Sequence, residues 1–261
     1  PGAISDSGPL YTPRFSLGEL ESAPAAPLHH NRCVREPTAL MYTSGTTGLS
    51  KGVIQPHGQV MLMSLIFANQ LRLGRDDIIY ATLPLFHINA LGLQLVGAMN
   101  LGVPLVLDDR FHATRWLDTI RRYGATTTNL LGVMGEFVLK QAAREDDADN
   151  PLRVVNCVPI APGMTPVFEE RFGARFIELY GTTEVAITIF SPFDTGNRDG
   201  AAGKAVEDWF EAKIYDPDTD LEVPDGEVGE MVFRPKAPWC FMQGYYANES
   251  SRTYFCATYS I

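Results

Sequence analysis

The sequence has little basic charge, few cysteines and no long uninterrupted hydrophobic run, and each shortage excludes a class of protein. Its 261 residues include 21 lysines and arginines against 31 aspartates and glutamates, a formal net charge of -10. A nucleic-acid-binding surface normally needs a basic patch, so this balance argues against one. It does not argue against binding of an anionic nucleotide, because local loop dipoles and a bound metal dominate at such a site.

Cysteine spacing and hydropathy bear on the cellular compartment. The cysteines are widely spaced, with no Cys-x-x-Cys pair: Cys33, Cys157, Cys240 and Cys256. This spacing predicts reduced thiols in a cytoplasmic protein. No signal peptide is visible, although the chain opens at Pro1. The most apolar stretch, 90–107, is broken by polar residues, so it predicts a buried helix, a stop at Gly102 and a strand; a membrane span is not expected.

A loop rich in hydroxyl side chains and glycine is the most informative stretch of the chain. It reads Thr43-Ser-Gly-Thr-Thr-Gly-Leu-Ser-Lys-Gly52. Glycines let a ligand approach backbone amides closely, and amides, hydroxyls and one ammonium together suit a polyphosphate. The loop is not a Walker A motif, because Ser50 precedes Lys51 and Gly52 follows it. Its flanks predict a phosphate-binding turn between a buried strand and a helix; a Ser/Thr-rich surface turn is the alternative.

Short apolar runs alternate with helical patterns from residue 38 to about 190. The predicted strands are 38–43, 78–82, 103–107, 126–131, 153–159 and 175–179. The predicted helices are 60–71, 90–100, 114–123, 133–144 and 165–172. This order predicts an α/β fold with a mostly parallel sheet flanked by helices. Ligands of such sheets bind in loops beyond the carboxyl ends of strands, where several of the motifs below would meet.

The pattern changes after about residue 195. Strand-like runs at 210–215 and 228–234 are separated by the turn signals Asp216-Pro-Asp218 and Pro224-Asp-Gly226, which predict a small antiparallel β region. Residues 1–37 show no clear periodicity and predict a lead-in or linker. The predicted organisation is therefore a linker at 1–37, an α/β nucleotide- and acyl-binding region at 38–195 and a β-rich region at 196–261.

Four motifs follow one another along the chain. Besides the loop 43–52 they are Leu83-Pro-Leu-Phe-His87, Tyr180-Gly-Thr-Thr-Glu184 and Gly226-Glu-Val-Gly-Glu230. In this order they resemble the adenylate-forming, or AMP-binding, superfamily, which includes acyl-CoA synthetases, nonribosomal adenylation domains and luciferases. The resemblance extends from about residue 38 to Tyr246. It implies part of that superfamily's large N-terminal domain, and ATP-dependent activation of a carboxylic acid to an acyl-adenylate.

The resemblance also implies a role for each motif. The loop would hold the β- and γ-phosphates through Thr43, Ser44, Gly45, Thr46, Thr47, Gly48 and Lys51. Tyr180, Gly181 and Thr182 would contact the nucleotide, with Tyr180 against the adenine. Thr183 would hydrogen-bond the α-phosphate. Glu184 would help to hold Mg²⁺, which suits one carboxylate plus phosphate oxygens.

The predicted catalytic residues are Lys51, His87, Thr183 and Glu184. Attack on the α-phosphorus adds charge to phosphate oxygens, so positioning and cations carry most of such catalysis. The resemblance places His87 beside the acyl pocket, where it would gate entry of the carboxylate or the thiol. Each assignment has a structural alternative. Lys51 could be a solvated lysine, Tyr180 a core aromatic, Glu184 an exposed or helix-capping acid, and His87 half of a packed core pair with Phe86.

The sequence also departs from the pattern of the family. Ser50 stands where a proline usually precedes the lysine, and Ile160-Ala-Pro162 lacks the glycines usual beside the adenine. After residues 244–249 the family continues to a Thr-Gly-Asp segment and a mobile C-terminal domain with the catalytic lysine. Here 254–261 follows instead, so we expect a fragment of the large domain that binds Mg-ATP weakly at best and makes no thioester alone.

The substrate class is suggested by two further stretches. Residues 129–134 and 239–244 look most like acyl-CoA ligases near the crotonobetaine/carnitine–CoA ligase group. Residues 89–95 offer no acid where adenylation domains hold an amino group, which favours a carboxylic acid other than an amino acid. The leading hypothesis is an acyl-CoA synthetase that uses ATP, Mg²⁺ and CoA. The alternatives are an enzyme loading a carrier-protein thiol and an inactive nucleotide- or acyl-binding remnant.

Overall fold

A seven-stranded sheet organises the part of the chain described in this computed structural model, residues 22, 31–43, 50–247 and 259–260. The chain divides into units 1–32 and 33–261, and every element below belongs to the second. The strands are β1 (Pro37–Thr43), β2 (Lys51–Pro56), β3 (Ile79–Ala81), β4 (Leu105–Leu107), β5 (Thr127–Leu131), β6 (Val154–Val158), β7 (Arg175–Thr182), β8 (Ala186–Phe190), β9 (Lys204–Ala205), β10 (Phe210–Tyr215), β11 (Glu230–Pro235) and β12 (Tyr259–Ser260). The helices are α1 (His57–Gln70), a π-helical segment (Asn89–Leu95) that continues into α2 (Val96–Leu101), α3 (Trp116–Tyr123), α4 (Gly132–Leu139) and α5 (Met164–Phe172).

The large sheet has the strand order β4-β3-β5-β6-β7-β8-β9. The pairs formed among β3, β4, β5, β6 and β7 are parallel, whereas β8 pairs antiparallel with both β7 and β9. Strand β3 pairs with β4 on one side and β5 on the other, so the direction of the crossovers reverses between β3 and β5. The predicted α/β fold with a mostly parallel sheet flanked by helices is confirmed.

Both faces of the sheet are covered by apolar side chains. On one face, Phe67 of α1 and Leu71, which follows the helix, belong to a core that also contains Phe210. On the other face, Trp116 of α3 packs edge-on against Phe172, and Phe168 of α5 stacks on Phe176 with 4.0 Å between ring centroids. Burial on two faces explains why the central strands read as short apolar runs rather than as alternating patterns.

The predicted turn between a buried strand and a helix is wrong. Strand β1 pairs antiparallel with β2, with Thr43 opposite Lys51, so the loop joins two strands of a hairpin. Most of β1 is exposed, and Met41 is its one buried residue. Because β2 is short, begins with a lysine and ends with a proline, its sequence does not indicate a strand. It passes directly into α1.

The structure confirms the predicted end of one helix and corrects the predicted end of another. The predicted stop at Gly102 is present, because this residue ends α2 with a left-handed φ of 67°. The helix predicted over 133–144 is too long, since α4 ends at Leu139. The guanidinium of Arg171 donates hydrogen bonds to the carbonyls of Leu139, Gln141 and Ala142, so this turn bonds to a neighbouring helix instead of continuing its own.

Strands β10, β11 and β12 form a separate antiparallel sheet, as the β-rich character after residue 195 predicts. Strand β9 belongs instead to the edge of the large sheet. The domain boundaries predicted from sequence therefore stay predictions. Within the described residues, no helix is both long and apolar enough to cross a membrane.

Candidate functional site

The hairpin brings both ends of the predicted phosphate loop together. Thr43 and Lys51 are cross-strand partners. Between them, Ser44, Gly45, Thr46, Thr47 and Gly48 lie outside the described residues. The Lys51 side chain is exposed, and its ammonium lies 5.1 Å from the ring centroid of Tyr245, a cation–π contact.

Tyr245 connects the first motif to the third. Its hydroxyl donates a hydrogen bond to Oε1 of Glu184 at 3.0 Å, while its ring lies under the ammonium of Lys51. Its backbone is bridged to Val53 of β2. One aromatic side chain therefore links a cation and a carboxylate that are far apart in the sequence. The sequence signal for this residue is the Gly244-Tyr245 pair, which follows the last motif.

The third motif ends in a tight turn between β7 and β8. The Thr182 hydroxyl oxygen accepts hydrogen bonds from the backbone N–H groups of Glu184 and Val185, at 3.2 and 3.3 Å. Glu184 is buried and lies between two strands, so the alternative of an exposed or helix-capping acid is wrong. The side chain of Thr182 therefore stabilises the backbone of the turn, in which Glu184 is buried.

Two buried glutamines hold this turn from the other side. Gln55 of β2 and Gln59 of α1 each donate from Nε2 to the carbonyl of Thr183 at 2.9 Å. Gln59 also donates to the carbonyl of Glu184 at 3.0 Å. Both glutamines are fully buried. Sequence reasoning missed them, because nothing local indicates contacts across more than 120 residues.

Gly181 is required by the close approach of β8. A Cβ atom at this position would lie 2.2 Å from the carbonyl oxygen of Ala186. The pairing of β7 with β8 is irregular between Tyr180 and Gly181, and Ala186 has a left-handed φ of 64°. Tyr180 is half-buried, and its ring centroid lies 6.1 Å from that of Phe233 in β11. The adenine contact of Tyr180 stays a prediction.

His87 follows β3 in an exposed loop. Its ring lies 4.5 Å from that of Phe86, but both side chains are exposed, so the alternative of a packed core pair is wrong. The carbonyl of His87 accepts a hydrogen bond from the N–H of Leu91, which places His87 at the entrance to the π-helical segment.

A cavity of about 160 Å³ lies between the segment after His87 and the turn of the third motif. Its wall is mostly apolar and includes Met63, Ile88, Leu93, Asn89, Thr182 and Thr183. The cavity therefore joins the third motif to the segment that directly follows the second motif. A larger surface cavity of about 330 Å³ lies beside β4 and α3 and contains none of the motif residues.

The acid Glu178 lies near the site, on the strand that leads into the third motif. Burial raises the pKa of Glu178 on β7, against a hydrogen bond from the backbone of Ile160 that lowers it. This contact ties β7 to the turn that the resemblance assigns to the adenine pocket. Among the described residues, no group of three or more His, Cys, Asp or Glu side chains is placed to hold a metal ion. A cation here would depend on Glu184 together with oxygens of a ligand.

The chain belongs to the AMP-binding enzyme family, whose sequence model matches residues 4–246. Among the proteins to which the chain is similar are CoA ligases of carboxylic acids. A medium/long-chain-fatty-acid–CoA ligase of Mycobacterium marinum is 37% identical over 212 residues, covering 81% of this chain and 41% of the ligase. A crotonobetaine/carnitine–CoA ligase of Salmonella paratyphi C is 31% identical over 196 residues, covering 75% of this chain and 38% of the ligase.

The fold is also similar to that of a solved structure. ATP-bound MatB from Rhodopseudomonas palustris superposes with a TM-score of 0.78 at 25% identity, covering 90% of this chain and 46% of MatB. The resemblance to acyl-CoA ligases, including the crotonobetaine/carnitine group, is confirmed. The chain spans less than half the length of each of these three proteins.

Proposed function

We propose that this chain forms the ATP- and acid-binding part of an acyl-CoA synthetase. The observation that carries the proposal is the contact of Tyr245 with both Lys51 and Glu184, because the neighbouring Thr183 lines a cavity of acyl-group size. A cation and a carboxylate from two distant motifs are thereby joined at one place. Membership of the AMP-binding family and the CoA ligases among its relatives support the reaction.

The nucleotide would be held between the hairpin and the turn of the third motif. The hydroxyls and amides of 43–48 and the ammonium of Lys51 bind the β- and γ-phosphates, and Thr183 donates to the α-phosphate. Tyr180, with Gly181 and Thr182, lies against the nucleoside. The backbone carbonyls of Thr183 and Glu184 are already occupied by glutamine donors, which leaves the side chains of the turn to contact the ligand.

The residues present fit a magnesium ion bound with the nucleotide. Mg²⁺ is usually bound by one or two carboxylates together with phosphate oxygens and water. Glu184 supplies one carboxylate, and one of its oxygens accepts a hydrogen bond from Tyr245. When bound, the ion would neutralise charge on the phosphate oxygens. Tyr245 would fix the direction of that carboxylate.

The reaction follows from this arrangement in two steps. A carboxylate oxygen of the acid bonds to the α-phosphorus, and the bond from that phosphorus to the bridging oxygen of pyrophosphate breaks. The thiol of CoA then gives its proton to solvent and its sulfur bonds to the acyl carbon, while the bond from that carbon to the phosphate oxygen breaks and AMP leaves. Lys51 stabilises the leaving pyrophosphate, and the exposed His87 lies where acid or thiol enters. Catalysis rests on fixed charges and position.

Replacing Lys51 tests the phosphate role. In the full-length gene product, Lys51→Ala should slow adenylate formation about 100-fold, the cost of losing one fixed charge on the developing anion. Thioester formation from preformed adenylate should change little. Pyrophosphate release and single-turnover transfer from synthetic acyl-adenylate separate the two half-reactions.

Lys140→Ala is the matched control, because Lys140 also lies over an aromatic ring, that of Phe137, but on α4. It should leave both half-reactions unchanged. Equal losses in both half-reactions of Lys51→Ala would contradict a phosphate role. Transfer to a carrier-protein thiol in preference to CoA would replace the proposed acceptor with the carrier protein.

A further inference from the structure

Two asparagine side chains meet beside the cavity. Nδ2 of Asn129 on β5 donates a hydrogen bond to Oδ1 of Asn89 at 2.7 Å. Asn129 is fully buried, and among the described residues its own Oδ1 has no hydrogen-bond partner. Asn89 begins the π-helical segment and lines the cavity. A buried amide thus fixes an amide on the cavity wall.

The pair leaves Asn89 as a hydrogen-bond donor. Its Oδ1 is used by Asn129, and within the described residues no protein group accepts from its Nδ2. Rotating the amide of Asn89 alone by 180° would place two N–H groups against each other and lose the bond, so in this arrangement the donor end of Asn89 faces away from Asn129. The rest of the wall is mostly apolar, and no charged side chain lines it in the part of the chain that the structure describes.

The topology of the sheet points to the same place independently. In open α/β sheets, ligands bind beyond the carboxyl ends of the strands where the crossover direction reverses. Here that reversal lies between β3 and β5. Asn89 lies beyond β3 and Asn129 lies on β5, so the pair bridges the reversal. A donor built at this position is placed to contact a ligand.

We propose that Asn89 selects acyl groups that carry an uncharged acceptor oxygen, such as a keto group, over plain alkyl acyl groups. The inference rests on the proposed function, because it assigns the cavity to the acyl group. The volume of about 160 Å³ equals about five water volumes of about 30 Å³, so it suits a short acyl chain. Since the lining has no charge to pair with, an ionised tail is excluded. A site that donates to a ligand oxygen rejects the analogue that lacks it.

The test is direct binding of non-hydrolysable acyl-adenylate analogues to the full-length gene product. The ligands are the hexanoyl, 4-oxohexanoyl and 5-oxohexanoyl sulfamoyl adenosines, with AMP as the reference, measured by calorimetry. We expect one of the oxo analogues to bind at least tenfold more tightly than the hexanoyl analogue. Asn89→Ala removes the donor without adding a charge, so it should abolish that preference while AMP affinity stays unchanged.

Asn100→Leu is the control, because Asn100 lies on α2 and donates to Ser64 away from the cavity. It should keep the preference. If Asn89→Ala does not fold, Asn89→Leu gives the same comparison, because it also removes the donor without adding a charge. Equal affinity of the wild-type protein for all three analogues would overturn the inference and leave the proposed function standing. Failure of every analogue and of AMP to bind would overturn both.

Discussion

The two ends of the parallel strands differ in their polar chemistry. At the amino end, Asp77, Thr126 and Arg153 form a charged and mutually satisfied cluster. At the carboxyl end, Asn89, Asn129 and Thr183 are uncharged, and part of their hydrogen-bonding capacity is unused by the protein. One end therefore fixes the strands relative to each other, and the other end is left able to bind a ligand.

The amino-end cluster is dense. The carboxylate of Asp77 accepts hydrogen bonds from Thr126 Oγ1 at 2.6 Å, from the N–H of Gly74 at 2.7 Å and from Arg153 at 2.9 Å. Burial by itself raises the pKa of Asp77, but the bonds from Thr126, Gly74 and Arg153 outweigh it, and the net pKa is lowered. A buried charge with this many donors stabilises the folded state.

A side chain added at Gly181, in the turn at the carboxyl end of β7, should give the largest loss of stability. Gly181→Ala would place a Cβ 2.2 Å from a backbone oxygen of β8, which cannot move without opening the turn. We expect the free energy of unfolding in urea to fall by about 3 kcal/mol. Gly74→Ala, at the amino end, meets nothing within 4 Å and should change it by less than about 0.5 kcal/mol. Similar losses in both variants would remove the distinction between the two ends.

Removing the charge of Asp77 tests the amino end. Asp77→Asn should lower the free energy of unfolding at pH 7 by about 2 kcal/mol, because it removes hydrogen bonds to a charged group. A lowered folded-state pKa gives stability that is present above the unfolded pKa of about 3.9 and is lost as the pH falls through the folded value. The wild-type protein should therefore lose stability below about pH 4 more steeply than Asp77→Asn in urea titrations.

Asp194→Asn provides the exposed comparison for this pH effect. Asp194 pairs with Arg72 at 2.5 Å, but both side chains are more than half exposed. Exposed pairs contribute little. Its pH profile should match that of the wild-type protein. A pH profile of Asp77→Asn parallel to the wild-type one would show that this carboxylate does not stabilise the amino end.

Removing the amide of Gln59 should give the smallest of the three losses of stability. Gln59→Leu removes donors to two carbonyls, but Thr183 keeps Gln55 and Glu184 keeps the N–H of Met242. We expect a loss of about 1 kcal/mol in the free energy of unfolding. Gln141→Leu, whose amide donates to Phe137 at the protein surface, should have no measurable effect. A loss from Gln59→Leu larger than that from Asp77→Asn would reverse the comparison.

The parallel sheet could be predicted because its strands are apolar on both faces and alternate with helical patterns. The hairpin could not, since β2 is only six residues long and begins with Lys51. Strand β8 was missed altogether, although its sequence Ala-Ile-Thr-Ile-Phe is typical of a buried strand. For β2 the pairing with β1, and not the local sequence, decides the element, whereas β8 could have been predicted from its own sequence.

The motifs of the site could be predicted, but not the residues that connect them. Lys51 and Glu184 belong to patterns with a recognisable spacing. Tyr245 and Gln59 become visible only when chain segments more than 50 residues apart meet. The bond between Asn89 and Asn129 likewise depends on β3 and β5 becoming neighbours. Such contacts are products of topology.

Because β2 passes into α1 without an intervening loop, one continuous segment sets four positions at intervals of four residues: Lys51, Gln55, Gln59 and Met63. Inserting a single residue into the strand would turn its side chains to the opposite face, and inserting one into the helix would rotate all that follows by about 100°. We therefore expect a change in the length of this segment to be more disruptive than a change in the identity of one of its exposed residues. The continuous strand and helix fix the spacing of these four positions, so we expect insertions to be tolerated in surface loops and not in this segment.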